Sequence, residues 1–551
     1  MRSNLSFKPL NWPIYPDDGR SCLLKPEQGA IGYNLILSGR AGDLEQIVQH
    51  ESIRHRLQEL VDTIRPVSLL QGQRHEWQAV LHGFGDIEIR LYNLEQDTTE
   101  REVWQIIKTI YTLAAQQGVV VFADPNFLTA APNSAGGGSG GTTGGPLEKL
   151  GRAAQEDDYI RDWAIASNGV NLEDGLGTRL VSNVTGTEVP VFIFDSCDRR
   201  LGADLNLIPP QKGAEAQPNY YEIWRNYPPS PLKLHISSPA SRFHQENKNR
   251  RPVRIEASND PNKDVDEHGL FVSSIIHRVA PNSQLHLVDV LNREGRGEIY
   301  GLIRALFLLA EQAVLGEEPS SQPPLEGVVV NLSLGTSLSE AYMTSIKFQD
   351  LLQDLRASAY RKNAQNHVLL TILDDMVGHH YYVGALRLVI RLLYELGAVL
   401  VAAAGNDSAQ VPGVHLKQIP ATYPEVIAVA ASTFTRTKAN FSNLGDILAP
   451  GGGTAAPDVV SPYYNREAEP LEVYQKQNVT GIVLKLRQDQ SGYAYWLGTS
   501  FSAPFVTGLV ALMIEKLKQE KQALHPYHIR TLVLKHSPEG IINIPAILAQ
   551  L

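Results

Sequence analysis

Four short segments of the chain bring a group able to do chemistry to the end of an apolar run or the start of a helix. Val189-Pro-Val-Phe-Ile-Phe194 ends in Asp195-Ser196-Cys197. A carboxylate directly after a buried strand either caps the next helix or orients a partner group. Asp266-Glu-His268-Gly269 precedes Leu270–Ile276, whose pattern predicts a helix, so His268 stands at a helix start. An imidazole there either faces a cleft or stays a bystander on the surface. Val399–Ala404 runs into Gly405-Asn406. That asparagine is either a turn residue or an amide donor that stabilises a developing oxyanion without titrating. Leu497-Gly-Thr-Ser500-Phe-Ser-Ala-Pro504 opens a run of small and apolar residues to Met513, read as a helix with Pro504 in its first turn. Ser500 then lies at a helix amino terminus, where free N–H groups and the dipole favour an anion. A plain N-cap would explain the serine but not the small residues around it.

Such groups work together only if a scaffold gathers them, and open α/β sheets gather them at the carboxyl ends of strands. Val189–Phe194, Gln284–Val290, Gly327–Asn331, Ala398–Ala404 and Val426–Ala431 are short apolar runs with little polar alternation. That pattern predicts strands covered on both faces. Helical stretches such as Ile299–Ala313 and Ala385–Leu396 separate them, which predicts a mostly parallel α/β sheet.

Upstream lies Ala131-Pro-Asn-Ser-Ala-Gly-Gly-Gly-Ser-Gly-Gly-Thr-Thr-Gly-Gly-Pro146, which reads as a flexible linker. No Gly-Lys-Ser/Thr follows, so a phosphate cradle is the weaker reading. The linker divides the chain into residues 1–130, a connection at 131–149 and a larger domain at 150–551. Within the first part Gly32–Leu37 predicts a strand, Asp43–Ile64 carries apolar residues at helical spacing, and Trp77–Val80 and Ile87–Tyr92 alternate as strands do. Glu100–Gln117 predicts a helix closed by Gly118, and Val119–Phe122 a last strand. The order β-α-β-β-α-β suits a small ferredoxin-like α+β domain.

Composition narrows the function class. The 551 residues carry 49 Lys plus Arg against 59 Asp plus Glu, a net charge of −10, which speaks against a nucleic-acid partner. Two cysteines, Cys22 and Cys197, exclude a disulfide framework and Cys-rich zinc sites. The first residues show no apolar signal segment, and Ala385–Ala404, the best apolar stretch, is broken by Arg387, Arg391 and Glu395. The expectation is a cytoplasmic protein with no membrane partner.

Taken together, Asp195-Ser196, His268-Gly269, Ala404-Gly405-Asn406 and Gly498-Thr-Ser500-Phe-Ser-Ala-Pro504 resemble the motifs of the subtilisin-like serine proteases (peptidase family S8), in that family's chain order of Asp, His and Ser. Val279-Ala-Pro281, Leu285–Leu291, Asn331-Leu-Ser333-Leu-Gly335, Tyr423–Val429 and Phe441–Gly451 are also similar, in the same order. The resemblance implies a three-layer α/β fold and an endopeptidase with Asp195, His268 and Ser500 as catalytic triad and Asn406 in the oxyanion hole. It implies substrate binding along Ser333, Leu334 and Gly335 and along Ala403 and Ala404, with a protein or peptide as substrate. No cofactor is needed for that chemistry. Calcium supports many members of the family, but no compact acidic loop assigns its ligands here. Val119–Phe127 is similar to the closing strand of the family's propeptides, which makes the N-terminal domain an expected inhibitor in cis. Two narrower readings stay open: a protease making one selective maturation or signalling cut, and a catalytically silent binding module. Cys197, Leu270 and Phe501 stand where the family usually has Gly, Thr and Met, and bear on cleft shape.

Overall fold

The computed structural model describes residues 33–66, 81–95, 97–130, 153–160, 162–164, 184–197, 220–223, 231–237, 267–291, 295–315, 323–336, 348–361, 366–378, 383–406, 408, 417–453, 471–483, 492–537 and 540–551. The 131–146 linker and the Trp77–Val80 strand expectation lie outside them.

The first unit comprises β1 (Asn34–Arg40), α1 (Ala41–Val48), α2 (Glu51–Arg54), β2 (Leu57–Ile64), β3 (Ile87–Leu94), α3 (Glu100–Gln117) and β4 (Val121–Pro125). Its strands pair antiparallel in the order β2-β3-β1-β4, the ferredoxin-like arrangement. Local chemistry sets the bounds of α3. Thr99 and Glu102 form a reciprocal capping box at its start, and Gly118 closes it in the left-handed region. The single helix expected over Asp43–Ile64 is instead two short helices and a strand. Leu57, Val61 and Ile64 are buried at three- and four-residue spacing because β2 carries two register shifts against β3. Each extra residue in a bulge stretches the two-residue period of a strand toward the helical one.

After β5 (Leu128–Ala130), β6 (Ala153–Ala154) and α4 (Glu156–Ile160) comes the large sheet. Its strands are β7 (Pro190–Ser196), β8 (Tyr220–Ile223), β9 (Leu232–Ser237), β10 (Gln284–Leu291), β12 (Val329–Leu332), β13 (Val399–Ala403), β14 (Val426–Ser432) and β15 (Ile447–Pro450). They lie in the order β15-β14-β13-β12-β7-β10-β9-β8, parallel throughout except for the edge strand β8. Side chains of β7 alternate between two apolar layers. Val191 and Ile193 join the layer of α5 (His268–Val279) and α11 (Thr499–Gln519), and Phe192 and Phe194 that of α6 (Ile299–Leu315) and α9 (Gly384–Glu395). Burial on both sides explains why the strand shows no polar alternation. The structure is a three-layer α/β fold.

Among the described residues α11 is the one helix long and apolar enough to cross a membrane, and it is buried in this core. The Ala385–Ala404 stretch is split between α9 and β13. The N-terminal unit is continuous with the α6–α9 layer: Ile107, Tyr111 and Phe122 share one apolar cluster with Leu306, Leu352 and Leu386. A helical pair, α7 (Phe348–Arg361) and α8 (His367–Gly378), adds to that contact, with α7 packed along α3. Asn366 caps α8 through Oδ1 and, through Nδ2, donates to the Gly83 carbonyl at 2.9 Å.

Candidate active site

Asp195 is the last residue but one of β7, and α5 begins with His268, whose ring meets it. The two are held together by a close approach: a Cβ on Gly269 would lie 2.2 Å from the Ser196 carbonyl oxygen, so only glycine lets α5 start there. Asp195 Oδ1 accepts from the Ser196 N–H and from His268 Nδ1, each at 2.7 Å. The remaining faces of the imidazole meet aromatic rings, Trp496 edge-on at 5.3 Å between centroids and Phe501 at 5.2 Å.

Ser500 is the second residue of α11. Because the helix starts at Thr499, Pro504 falls in its second turn and not its first. The shift matters, since proline has no N–H and leaves the Ser500 carbonyl without its intrahelical donor. Ser333 Oγ fills the gap, donating to that carbonyl at 2.8 Å. Ser333 is itself fixed by Asn331 Nδ2 at 2.9 Å, and Asn331 Oδ1 accepts from Thr507 on α11 at 2.9 Å. The Ser500 hydroxyl donates to the Ser333 carbonyl at 3.3 Å. Among the described residues His268 Nε2 and Asp195 Oδ2 have no partner, so in this state the serine and the histidine are not hydrogen-bonded.

Asn406 follows the end of β13. Its Oδ1 accepts from the Thr499 N–H at 3.0 Å and from the Thr499 hydroxyl at 2.9 Å, while that hydroxyl accepts from the Gly405 N–H at 3.2 Å. Fixing the oxygen fixes the amide plane, and with it the donor end, beside the start of α11. Ser333, Leu334 and Gly335 follow β12, Ala403 ends the neighbouring β13 and Ala404 follows it; all five are buried. Asp195, His268, Ser500 and Asn406 are each at most 1% exposed.

The structure therefore gathers Asp195, His268, Asn406, Ser500 and the 333–335 and 403–404 segments at the carboxyl edge of one sheet. It adds Asn331, Thr499 and Thr507 as braces and Trp496 as a wall, none of which has a local sequence signal beyond lying in or near the motifs. Among the described residues no group of three His, Cys, Asp or Glu side chains is placed to hold a metal ion.

The model of the subtilase family, peptidase S8, matches residues 165–545. Over 253 residues the chain is 28% identical to the subtilisin-like protease PopC of Myxococcus xanthus, covering 45% of this chain and 42% of that protein. Over 272 residues it is 27% identical to a thermophilic serine proteinase of a Bacillus species, covering 47% of this chain and 45% of the relative. The chain thus spans less than half the length of either. Among solved structures, the epidermin leader peptide processing serine protease of Staphylococcus aureus aligns over 94% of this chain and 99% of its own, at 16% identity and a TM-score of 0.47.

Proposed function

The chain belongs to the subtilase family of serine endopeptidases, and from that premise we propose that Asp195, His268 and Ser500 hydrolyse peptide bonds through an acyl-enzyme. The observation that carries the assignment is the Asp195–His268 pair at 2.7 Å beside the amino terminus of the Ser500 helix. Attack requires Ser500 Oγ to leave the Ser333 carbonyl and donate to His268 Nε2, a ring nitrogen with no partner among the described residues. The serine oxygen then bonds to the substrate carbonyl carbon as its proton passes to Nε2. His268 returns that proton to the leaving amine, and a water repeats the sequence to free the acid. Asp195 keeps the Nδ1 proton in place and stabilises the imidazolium. Hydrolysis of an internally quenched peptide library, blocked by a fluorophosphonate, tests the reading. A protein that bound peptides and cut none would be a silent binding module.

Asn406 donates to the oxyanion of the tetrahedral intermediate. Its amide meets a charge only in the transition state, so Asn406→Ala should lower kcat by about 10²–10³ and leave KM nearly unchanged. A change confined to KM would make Asn406 a ground-state binding residue.

In the same reading the N-terminal domain is an inhibitor in cis, tied on by residues 131–149. Three features support it. β5 pairs antiparallel with β11 (Arg296–Glu298), so the end of the N-terminal domain adds a strand to the catalytic half. Side chains of the N-terminal domain also cap two catalytic-half helices. Asn126 Oδ1 accepts from the Tyr300 N–H at 3.0 Å at the start of α6, and Asp124 Oδ2 from the Ala385 N–H at 3.1 Å at the start of α9. Val383, the residue before α9, offers no side-chain cap of its own. Finally, the four catalytic groups are buried in the intact chain.

Asp124 gives this docking a pH dependence. Burial pushes its carboxyl up to about 7, against an opposing pull from the Ala385 and Gly384 N–H groups. A raised value means that the docked state holds the proton more tightly than the released one. Its contribution is full below the ordinary value of 3.8 and is lost as pH rises through about 7. In an inactive Ser500→Ala chain cut within 131–149, the N-terminal fragment should dissociate more slowly in acid than at mildly alkaline pH. Asp124→Asn should remove most of that difference. A parent dissociation rate that does not respond to pH over this window would contradict the role given to Asp124.

A further inference from the structure

Helix α5 carries His268 in its first turn and, on one stripe farther along, Phe271, Ser274 and Arg278. All three meet an antiparallel pair of strands, β16 (Val479–Ile482) and β17 (Tyr493–Trp496). A Cβ on Gly481 would stand 2.6 Å from the Phe271 ring, so the β16 backbone lies against that ring. Ser274 Oγ accepts from the Ile482 N–H at 3.0 Å, and Arg278 Nη1 donates to the Thr480 hydroxyl at 3.3 Å. β17 ends in Trp496, the wall of the His268 imidazole, whose indole also meets Phe271 edge-on at 5.6 Å between centroids.

The other edge of β17 is taken by β6, where Ala153 and Ala154 pair with Ala494 and Tyr493. This strand opens the segment that follows the 131–149 connection, and Arg278 grips the same segment. Its guanidinium lies 4.0 Å over the Tyr159 ring, donates through Nη2 to the Tyr159 carbonyl, and pairs through Nη1 with Asp162 Oδ2 at 3.2 Å. That oxygen also accepts from the Thr480 N–H at 2.9 Å and hydroxyl at 2.7 Å, and the Tyr159 ring lies 4.8 Å from that of Tyr493. Both charges are buried. A buried ion pair is weak evidence for stability, but a planar fork with several fixed acceptors and a ring beside it allows one register. Residues 153–160 and 162–164 thereby tie the far end of α5 to the strand that carries Trp496.

We propose that Arg278 is a positioning residue for His268, acting through Trp496, and that the segment after the linker is the strap it fastens. The inference rests on the catalytic reading above and adds to it what holds the histidine ring. With the strap loosened, β17 shifts, Trp496 leaves the imidazole, and the ring spends less time aimed at Ser500. A displacement of this kind far from the chemistry slows turnover without removing a reacting group.

The test is a mutant cycle in the full chain, with kcat and KM on a peptide substrate and thermal unfolding of every variant. Arg278→Met with Asp162→Asn removes both buried charges at nearly constant volume, so no charge is left unpaired. This pair should lower kcat about tenfold with KM within about twofold and unfolding within a few degrees of the parent. Trp496→Ala should lower kcat at least as much, and Trp496→Phe should restore part of the loss. Combining Trp496→Ala with the pair should cost no more than Trp496→Ala alone, because both act on one ring. If the pair does not fold, Arg278→Lys, which keeps the charge and loses the fork, replaces it; Trp496→Leu likewise replaces Trp496→Ala. Losses that multiply, a change confined to KM, or parent kcat in the folded pair would overturn the role of Arg278 alone. A parent that cuts no peptide and takes no fluorophosphonate would overturn the catalytic reading and the positioning with it.

Discussion

Ser500→Ala is expected to lower kcat by about 10⁶, the loss that follows removal of the nucleophile from such a triad. The size of the effect comes from the mechanism: the Ser500 hydroxyl supplies the oxygen of the acyl bond. The neighbouring Ser333 Oγ is committed to the Ser500 carbonyl and to Asn331 Nδ2. The fold should survive the change. The hydroxyl removed makes one long bond, 3.3 Å to the Ser333 carbonyl. The Ser333 bond to residue 500 uses a backbone carbonyl, which alanine keeps. Thermal unfolding within a few degrees of the parent, with substrate binding retained and turnover lost, is the expected result. Casein cleavage by the purified variant at the parent rate would refute the assignment of Ser500.

Asp195→Asn should lower kcat by about 10⁴ at nearly constant volume. Asp195 Oδ1 takes two donors at 2.7 Å, the Ser196 N–H and His268 Nδ1, and the carboxylate is fully buried. An amide of the same shape loses the charge that stabilises the imidazolium. Turned over, it also presents N–H to Nδ1 and moves the ring proton to Nε2, where it blocks acceptance from Ser500. Steady-state kinetics on a peptide substrate measure the loss. A decrease of less than about tenfold would mean that His268 is oriented by other contacts, such as Trp496 and Phe501, and that Asp195 serves the fold instead.

Much of this site was legible because its signals are local. The five apolar runs became β7, β10, β12, β13 and β14, and each motif stood at the end or start of an element, as sheet topology requires. What stayed hidden depends on contacts between distant residues. Nothing near Arg278 in sequence announces that its side chain meets Tyr159 and Asp162. The grip of Thr499 on Asn406 and the chain from Thr507 through Asn331 and Ser333 to Ser500 likewise form only once α11 packs against the sheet. Two local readings also shifted. The bulged strand β2 imitated helical spacing, and Pro504 lies one turn deeper, where its missing N–H frees a carbonyl for Ser333. The cap that Asp124 gives α9 joins two halves of the chain and leaves no trace in either sequence segment alone.

The most direct measurement is mass-spectrometric mapping of a fluorophosphonate label on the chain after proteolytic removal of residues 1–149. The account predicts one label per molecule, on Ser500, lost in His268→Ala, where no base remains to take the proton. A folded protein that takes no label, or takes it at another serine with Ser500 unmodified, would contradict the proposal that Asp195, His268 and Ser500 form the catalytic centre.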